Sequence, residues 1–122
     1  MFNQNSTSNN QRGFDLVERT ALIGEKIIDF CKSIKLTPIT SSLVNQLIRA
    51  GTGIGANYSE ASEANSKKDF KNKIVIAKKE AKETMHWLRM VVRAAPEKKE
   101  GARPIYKEVH ELVLIFSAIM KK

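Results

Sequence analysis

A chain of 122 residues with 42% hydrophobic and 28% charged content is one domain with a single modest core, and its fold should need no cofactor. Cys31 is the only cysteine, which excludes an intrachain disulfide and suits a reducing compartment. The net charge of +8 favours an anionic partner. With no apolar leader and no apolar run near the ~20 residues of a membrane helix, the expectation is a cytoplasmic protein without a membrane role.

Residues 1–13 are rich in Asn, Gln and Ser and read as a disordered polar tail, leaving 14–122 for the folded unit. The first helix is expected from Phe14 to Leu36, where Leu16, Thr20, Ile23, Ile27, Phe30 and Ile34 step by four and three. Val17, Ala21, Gly24, Ile28 and Cys31 widen that face beyond a two-stranded seam. Thr37 and Pro38 supply a cap and a first-turn proline for a second helix, expected from Pro38 to Asn65. Its register, Thr40, Leu43, Leu47, Ala50, Ile54, Asn57, Ala61 and Ala64, keeps phase across Gly51, Gly53 and Gly55. Each glycine costs roughly 1 kcal/mol relative to alanine, so something must compensate.

Ser66 and Asp69 form an S-x-x-D capping box that opens the third helix, Lys67 to Ala95. Phe70, Ile74, Ala77, Ala81, Thr84, Leu88, Val91 and Ala95 form its seam, and Arg93 suits the negative C-terminal end. Pro96 stops it and the following EKKEGAR reads as a solvated loop. Pro104 opens the fourth helix, carried by Ile105, Val109, Leu112, Phe116 and Ile119. Four heptad-like helices with short connections predict an all-α fold, an antiparallel up-down-up-down four-helix bundle.

The third helix also carries a second stripe, Lys68, Val75, Lys79, Lys82, His86, Arg89 and Arg93, about 140° from the seam. Residues 66–95 hold +6 of the net charge, whereas residues 1–65 sum to zero. Lys68, Lys79, Lys82, Arg89 and Arg93 are therefore the candidate nucleic-acid-binding residues. With no zinc finger, RNA-recognition aromatics or helix-turn-helix, binding is expected to be led by backbone charge and shape. The competing reading is a solvated face in which Lys79–Glu83 and Asp69–Lys73 are ordinary i,i+4 pairs.

Other motifs carry less. Gly51, Gly53 and Ala56 match the dinucleotide pattern G-x-G-x-x-A, but a helical pattern precedes them where that chemistry needs a strand. Gly51 and Gly55 read better as a small-residue face for close helix packing, within the bundle or between subunits, and Trp87 as a packing or interface residue. Glu83 and His86 form one E-x-x-H unit, but a di-iron site needs a second and two further glutamates. No metal, no cofactor and no enzyme activity are expected, and Cys31 is read as a small buried hydrophobe.

Two segments, RAGTGIGANYSEASEA (Arg49 to Ala64) and KKDFKNKIVIAKKEAKETMHWLR (Lys67 to Arg89), resemble the 23S-rRNA intervening-sequence proteins, a four-helix-bundle family. Arg49, Ala50, Ile54, Gly55, Ala56, Asn57, Glu60, Lys68, Asp69, Phe70, Ala77, Lys79, Glu80, Ala81, Glu83, Trp87 and Leu88 match its pattern. Gly53 stands where Ser is usual and Ala61 where Gly is usual. The resemblance implies a bundle that assembles as a homopentamer, with similarity to the accessory protein of diversity-generating retroelements, a basic pentamer that binds nucleic acid and a reverse transcriptase. Some members carry a ribosomal-protein label, and the family brings no catalytic residues. The leading expectation is thus a non-enzymatic oligomer binding RNA or DNA through the third helix. The alternative is a homo-oligomerisation or protein-interaction module, for example a reverse-transcriptase accessory or an rRNA-associated protein, with no direct nucleic-acid role.

Overall fold

The computed structural model describes residues 15–122, so the expected tail at 1–13 lies outside it. Four helices follow in order: α1 (Leu16–Lys32), α2 (Pro38–Ser62), α3 (Lys67–Ala94) and α4 (Lys99–Met120), with a single 3-10 turn, Pro96–Lys98, before α4. Each helix packs against its neighbours in sequence, α2 against α3 most extensively, and α4 closes the ring against α1. The diagonal pairs, α1 with α3 and α2 with α4, do not meet along their backbones. This is the up-down-up-down arrangement that short connections enforce.

The helix ends follow local chemistry. Asp15 caps α1, its Oδ1 accepting from the Val17 amide at 3.0 Å. The helix stops at Lys32, four residues short of the expected end, where Ser33 turns back to donate its hydroxyl to the Phe30 carbonyl at 2.6 Å. Ile34 remains buried beyond the helix. Thr37 and Thr40 cap α2 reciprocally: the Thr40 amide donates to Thr37 Oγ1 at 3.1 Å, and the Thr37 amide donates to Thr40 Oγ1 at 2.8 Å. The Ser66 box is only half made, with the Asp69 amide donating to Ser66 Oγ at 3.0 Å.

The fourth helix departs from expectation. It begins at Lys99, and Pro104 lies inside it. Proline there forfeits one amide that would bond the carbonyl of Glu100, a loss confined to the first turns. Burial offsets it. Ala95 and Ala102 sink into the core, and Gly101 lies over the ring of Phe30. The segment expected as a solvated loop is therefore mostly helix.

Every seam residue from α1 and nearly all from α3 and α4 are buried. Ile23, Ile27, Leu47, Ile54, Ile74, Leu88, Leu112 and Phe116 are almost wholly inaccessible. Each such side chain contributes about 1.5–3 kcal/mol. The polar members of the seams satisfy themselves. Thr20 donates to the Leu16 carbonyl at 2.7 Å and Thr84 to that of Glu80 at 2.8 Å.

The three glycines of α2 lie within one unbroken helix. A Cβ on Gly51 would stand 2.6 Å from Ile27 Cδ1 and 3.1 Å from its Cγ2, and one on Gly55 would stand 3.2 Å from the Thr20 carbonyl oxygen. Both positions face α1, so bare backbone lets the two helices close together. Between α1 and α4 a polar clamp takes over. The Arg19 guanidinium pairs with Glu108 at 2.7 Å and also with Glu111.

Gly51→Ala should destabilise the fold by about 1–3 kcal/mol in denaturant unfolding, because an added methyl overpacks a filled site. Ile27→Val removes the offending Cδ1, so the double variant should lose less than the sum of the two single changes. Strict additivity would show that Ile27 is not what the methyl meets.

Candidate nucleic-acid interface

With α2 on one flank and α4 on the other, α3 turns its remaining face outward. Lys68, Lys79, Lys82, Arg89 and Arg93 are all exposed there, together with His86 and Val75. None of the five cations forms an ion pair among the described residues. The expected i,i+4 pairs do not form either. Lys73 reaches across to Glu60 of α2 at 2.7 Å instead of to Asp69, and Lys79 does not close on Glu83. Tertiary packing places Glu60 within reach, and a pair between helices replaces one along the helix.

The structure divides the five residues. Lys79 and Lys82 share a shallow groove of about 650 Å³ with Gln46, Lys78, Glu83, His86 and Trp87. Arg89 and Arg93 line a second depression with Met90, Val92, Pro96 and Lys99. Lys68 belongs to neither and lies eleven residues before Lys79, about 16 Å along the axis. Trp87 is half-buried against the core and meets the His86 ring edge-on, with centroids 4.8 Å apart. Its indole is a wall of the groove.

Lys78 and Lys99 were not among the candidate residues. The Lys78–Lys79 doublet signals the first. Lys99 was hidden by reading its segment as loop.

Glu83 is the carboxylate in the first groove, and its neighbour Glu80 does not line it. Glu80 turns away from solvent onto α2, where a Cβ on Gly53 would stand 3.1 Å from its carboxyl carbon. Burial, and then the neighbouring charge of Glu83, raise its pKa, while Lys79 and Arg49 oppose that rise. A serine at position 53 would need Glu80 to shift, which gives Gly53 a local reason.

Other chemistries find no support in this geometry. Gly51, Gly53 and Ala56 lie in mid-helix, without the strand and turn that a dinucleotide fingerprint requires. Among the described residues no three of His, Cys, Asp or Glu cluster to hold a metal ion. No helix of the described residues is long and apolar enough to cross a membrane.

Residues 12–118 match the 23S rRNA-intervening sequence proteins. The chain belongs to that family. No curated protein matches it. Among solved structures it is similar to a protein of unknown function from the S23 ribosomal protein family of Bacteroides thetaiotaomicron. The two share 29% identity over 88% of this chain and all of the other, with a TM-score of 0.77. In this intervening-sequence protein, Ala61, where the family pattern has glycine, is buried in the core and fills its space with a methyl group.

Cys31 is 4% exposed, and desolvation alone pushes its thiol up to about 11. The unfolded chain releases that proton first, near 8.5. The thiol's share of stability is therefore intact below about 8.5 and is lost as pH rises from there towards about 11. Iodoacetamide at mildly alkaline pH should leave the native protein unlabelled and label the unfolded chain fully. The alkaline fall in melting temperature should be shallower in Cys31→Ala. Rapid labelling of the native protein would place the thiol at the surface.

Proposed function

We propose that this protein is a non-enzymatic bundle that binds RNA or DNA electrostatically through the outward face of α3. The observation that supports the reading is the row of exposed cations without ion-pair partners from Lys68 to Arg93, in a helix that holds most of the net charge. Cations left free by their own fold are available to phosphates, and each phosphate neutralised releases condensed counterions. Twenty-five residues of helix span about 37 Å, enough for several successive phosphates. Membership of a family named for insertions in 23S rRNA, and likeness to a member of a ribosomal protein family, make RNA the polyanion of first choice. The setting would then be the cytoplasm.

Affinity for a short RNA and for a duplex DNA, measured across a salt series, should fall log-linearly with salt. The slope should be about −0.7 per neutralised phosphate on the single strand and about −0.9 on the duplex. Converting Lys79, Lys82, Arg89 and Arg93 to Glu should abolish binding. A control variant with the same net charge, reversed at the exposed Lys26, Lys32, Lys35 and Lys121, should keep most of it. Equal loss in the two variants would leave no role for this face.

A second reading, self-assembly, rests on α1. One side of its wide apolar face finds no partner among the described helices. Val17 and Ile28 are each about 40% exposed. A groove of about 300 Å³ with a floor of small residues, among them Ala21, Gly24, Thr52 and Ala56, runs beside them. A second copy laid along this groove would cover them. Light scattering should give a multiple of 13.7 kDa, five-fold if the pentamer holds. Ala21→Arg with Ile28→Arg should return the mass to one chain. A monomeric wild type at high concentration would remove self-assembly from the reading.

A further inference from the structure

α4 sorts its charges by side. Glu108 and Glu111 face α1, where Arg19 holds them. Lys99, Arg103 and Lys107 recur every four residues on the flank towards α3, about 6 Å apart along the axis. Between α3 and α4 these cations, with Arg89 and His110, rim a groove of about 600 Å³. Its floor is apolar, made by Leu88, Val92 and Ala102. Tyr106 stands in it with 44% of its surface exposed. No carboxylate lines the groove. Of the carboxylates adjacent in sequence to groove residues, Glu108 and Glu111 are held by Arg19 and Glu100 pairs with Arg103 at 3.0 Å, which leaves the other cations free.

This combination is absent from the outward face of α3, whose only large aromatic, Trp87, is half-buried. A surface of cations alone holds phosphates and is indifferent to what they carry. A volume near 600 Å³ with an aliphatic floor, an accessible aromatic ring and a rim of regularly spaced cations suits a flat, uncharged ring tethered to a phosphate chain. A base inside a duplex cannot offer its face to Tyr106. An unpaired one can, and stacking on an aromatic side chain is how single strands are gripped without base-pair chemistry.

We infer that the α3–α4 groove is a base-stacking subsite for single-stranded nucleic acid, in which an unpaired base lies against Tyr106 and its flanking phosphates meet Arg89, Lys99 and Lys107. The inference rests on the nucleic-acid reading above and deepens it. Arg89 sits at the edge of both surfaces, so a strand following the α3 row enters the groove without leaving positive potential. Nucleic acid suits the groove better than an acidic amphipathic helix. Such a helix needs apolar anchors over successive turns, and here the apolar floor narrows to one exposed ring.

The test uses the full-length protein, a short uridine-rich RNA and a duplex of equal length. Tyr106→Leu keeps an apolar side chain on the floor and removes the ring. It should weaken the single strand about 5- to 100-fold and leave duplex affinity unchanged. Tyr106→Phe should retain wild-type affinity for both. A 5-iodouridine photocrosslink should map to Tyr106. Equal losses on single strand and duplex, or an unaffected single strand that still fails to bind when the α3 cations are reversed, would overturn the groove and leave the α3 reading standing. A protein that binds neither oligonucleotide at low salt would take both down. Tyr106-dependent binding of polyglutamate as tight as that of the RNA would overturn the assignment to bases.

Discussion

Where α1 crosses α2, Gly24 lies opposite Gly51 and Thr52, and a Cβ on Gly24 would stand 3.6 Å from the Thr52 Cα. Gly51 and Gly55 extend the same contact, where a Cβ would stand 2.6 Å from Ile27 Cδ1 and 3.2 Å from the Thr20 carbonyl oxygen. The helical cost of the glycines in α2, roughly 1 kcal/mol each, is set against this contact. Its geometric effect reaches further. Drawing α1 onto α2 leaves the opposite seam, α1 against α4, comparatively open. Arg19 and its two glutamates close that seam by charge where side-chain packing is thinner.

The same arrangement decides which surfaces stay free. α2 is committed on both sides, to α1 through its glycines and to α3 through the Lys73–Glu60 pair and the Glu80 side chain. α3 is held on its seam and its α2 flank, and among the described residues Lys68, Lys79, Lys82, Arg89 and Arg93 on its outward face form no ion pair. The proposed function uses what the described bundle leaves unpaired on its surface.

Much of this was legible in spacing alone. The four-three rhythm of Leu16, Thr20, Ile23, Ile27, Phe30 and Ile34 marked residues that are all buried. The α3 seam did nearly the same, with only Phe70 left partly exposed, because a helix with one apolar stripe has one way to bury it. Periodicity reports apolarity and not coverage, however. Val17, Ala21 and Ile28 share the apolar character of that face and stay exposed, since none of the described helices covers them. The beginning of α4 was illegible for another reason. Pro104 carries a strong local signal for a first turn, and the burial of Ala95 and Ala102 outweighs it. Putting Lys99 and Arg103 in a loop concealed their alignment with Lys107, and with it the groove. The sequence spacing also favoured Asp69 as the partner of Lys73. Only the packing of α2 against α3 brings Glu60 closer.

The sorting of charge along α4 has a consequence for the molecule as a body in solution. Glu108 and Glu111 of α4 are turned towards α1, a helix whose charges cancel, while Lys99, Arg103 and Lys107 gather with Arg89 of α3 on the other flank. Among the described residues, positive charge is therefore gathered along the α3–α4 edge. Under the proposed binding to nucleic acid, such a body would turn as it approaches the polyanion and arrive with the α3–α4 edge leading, which shortens the orientational search that limits most macromolecular encounters.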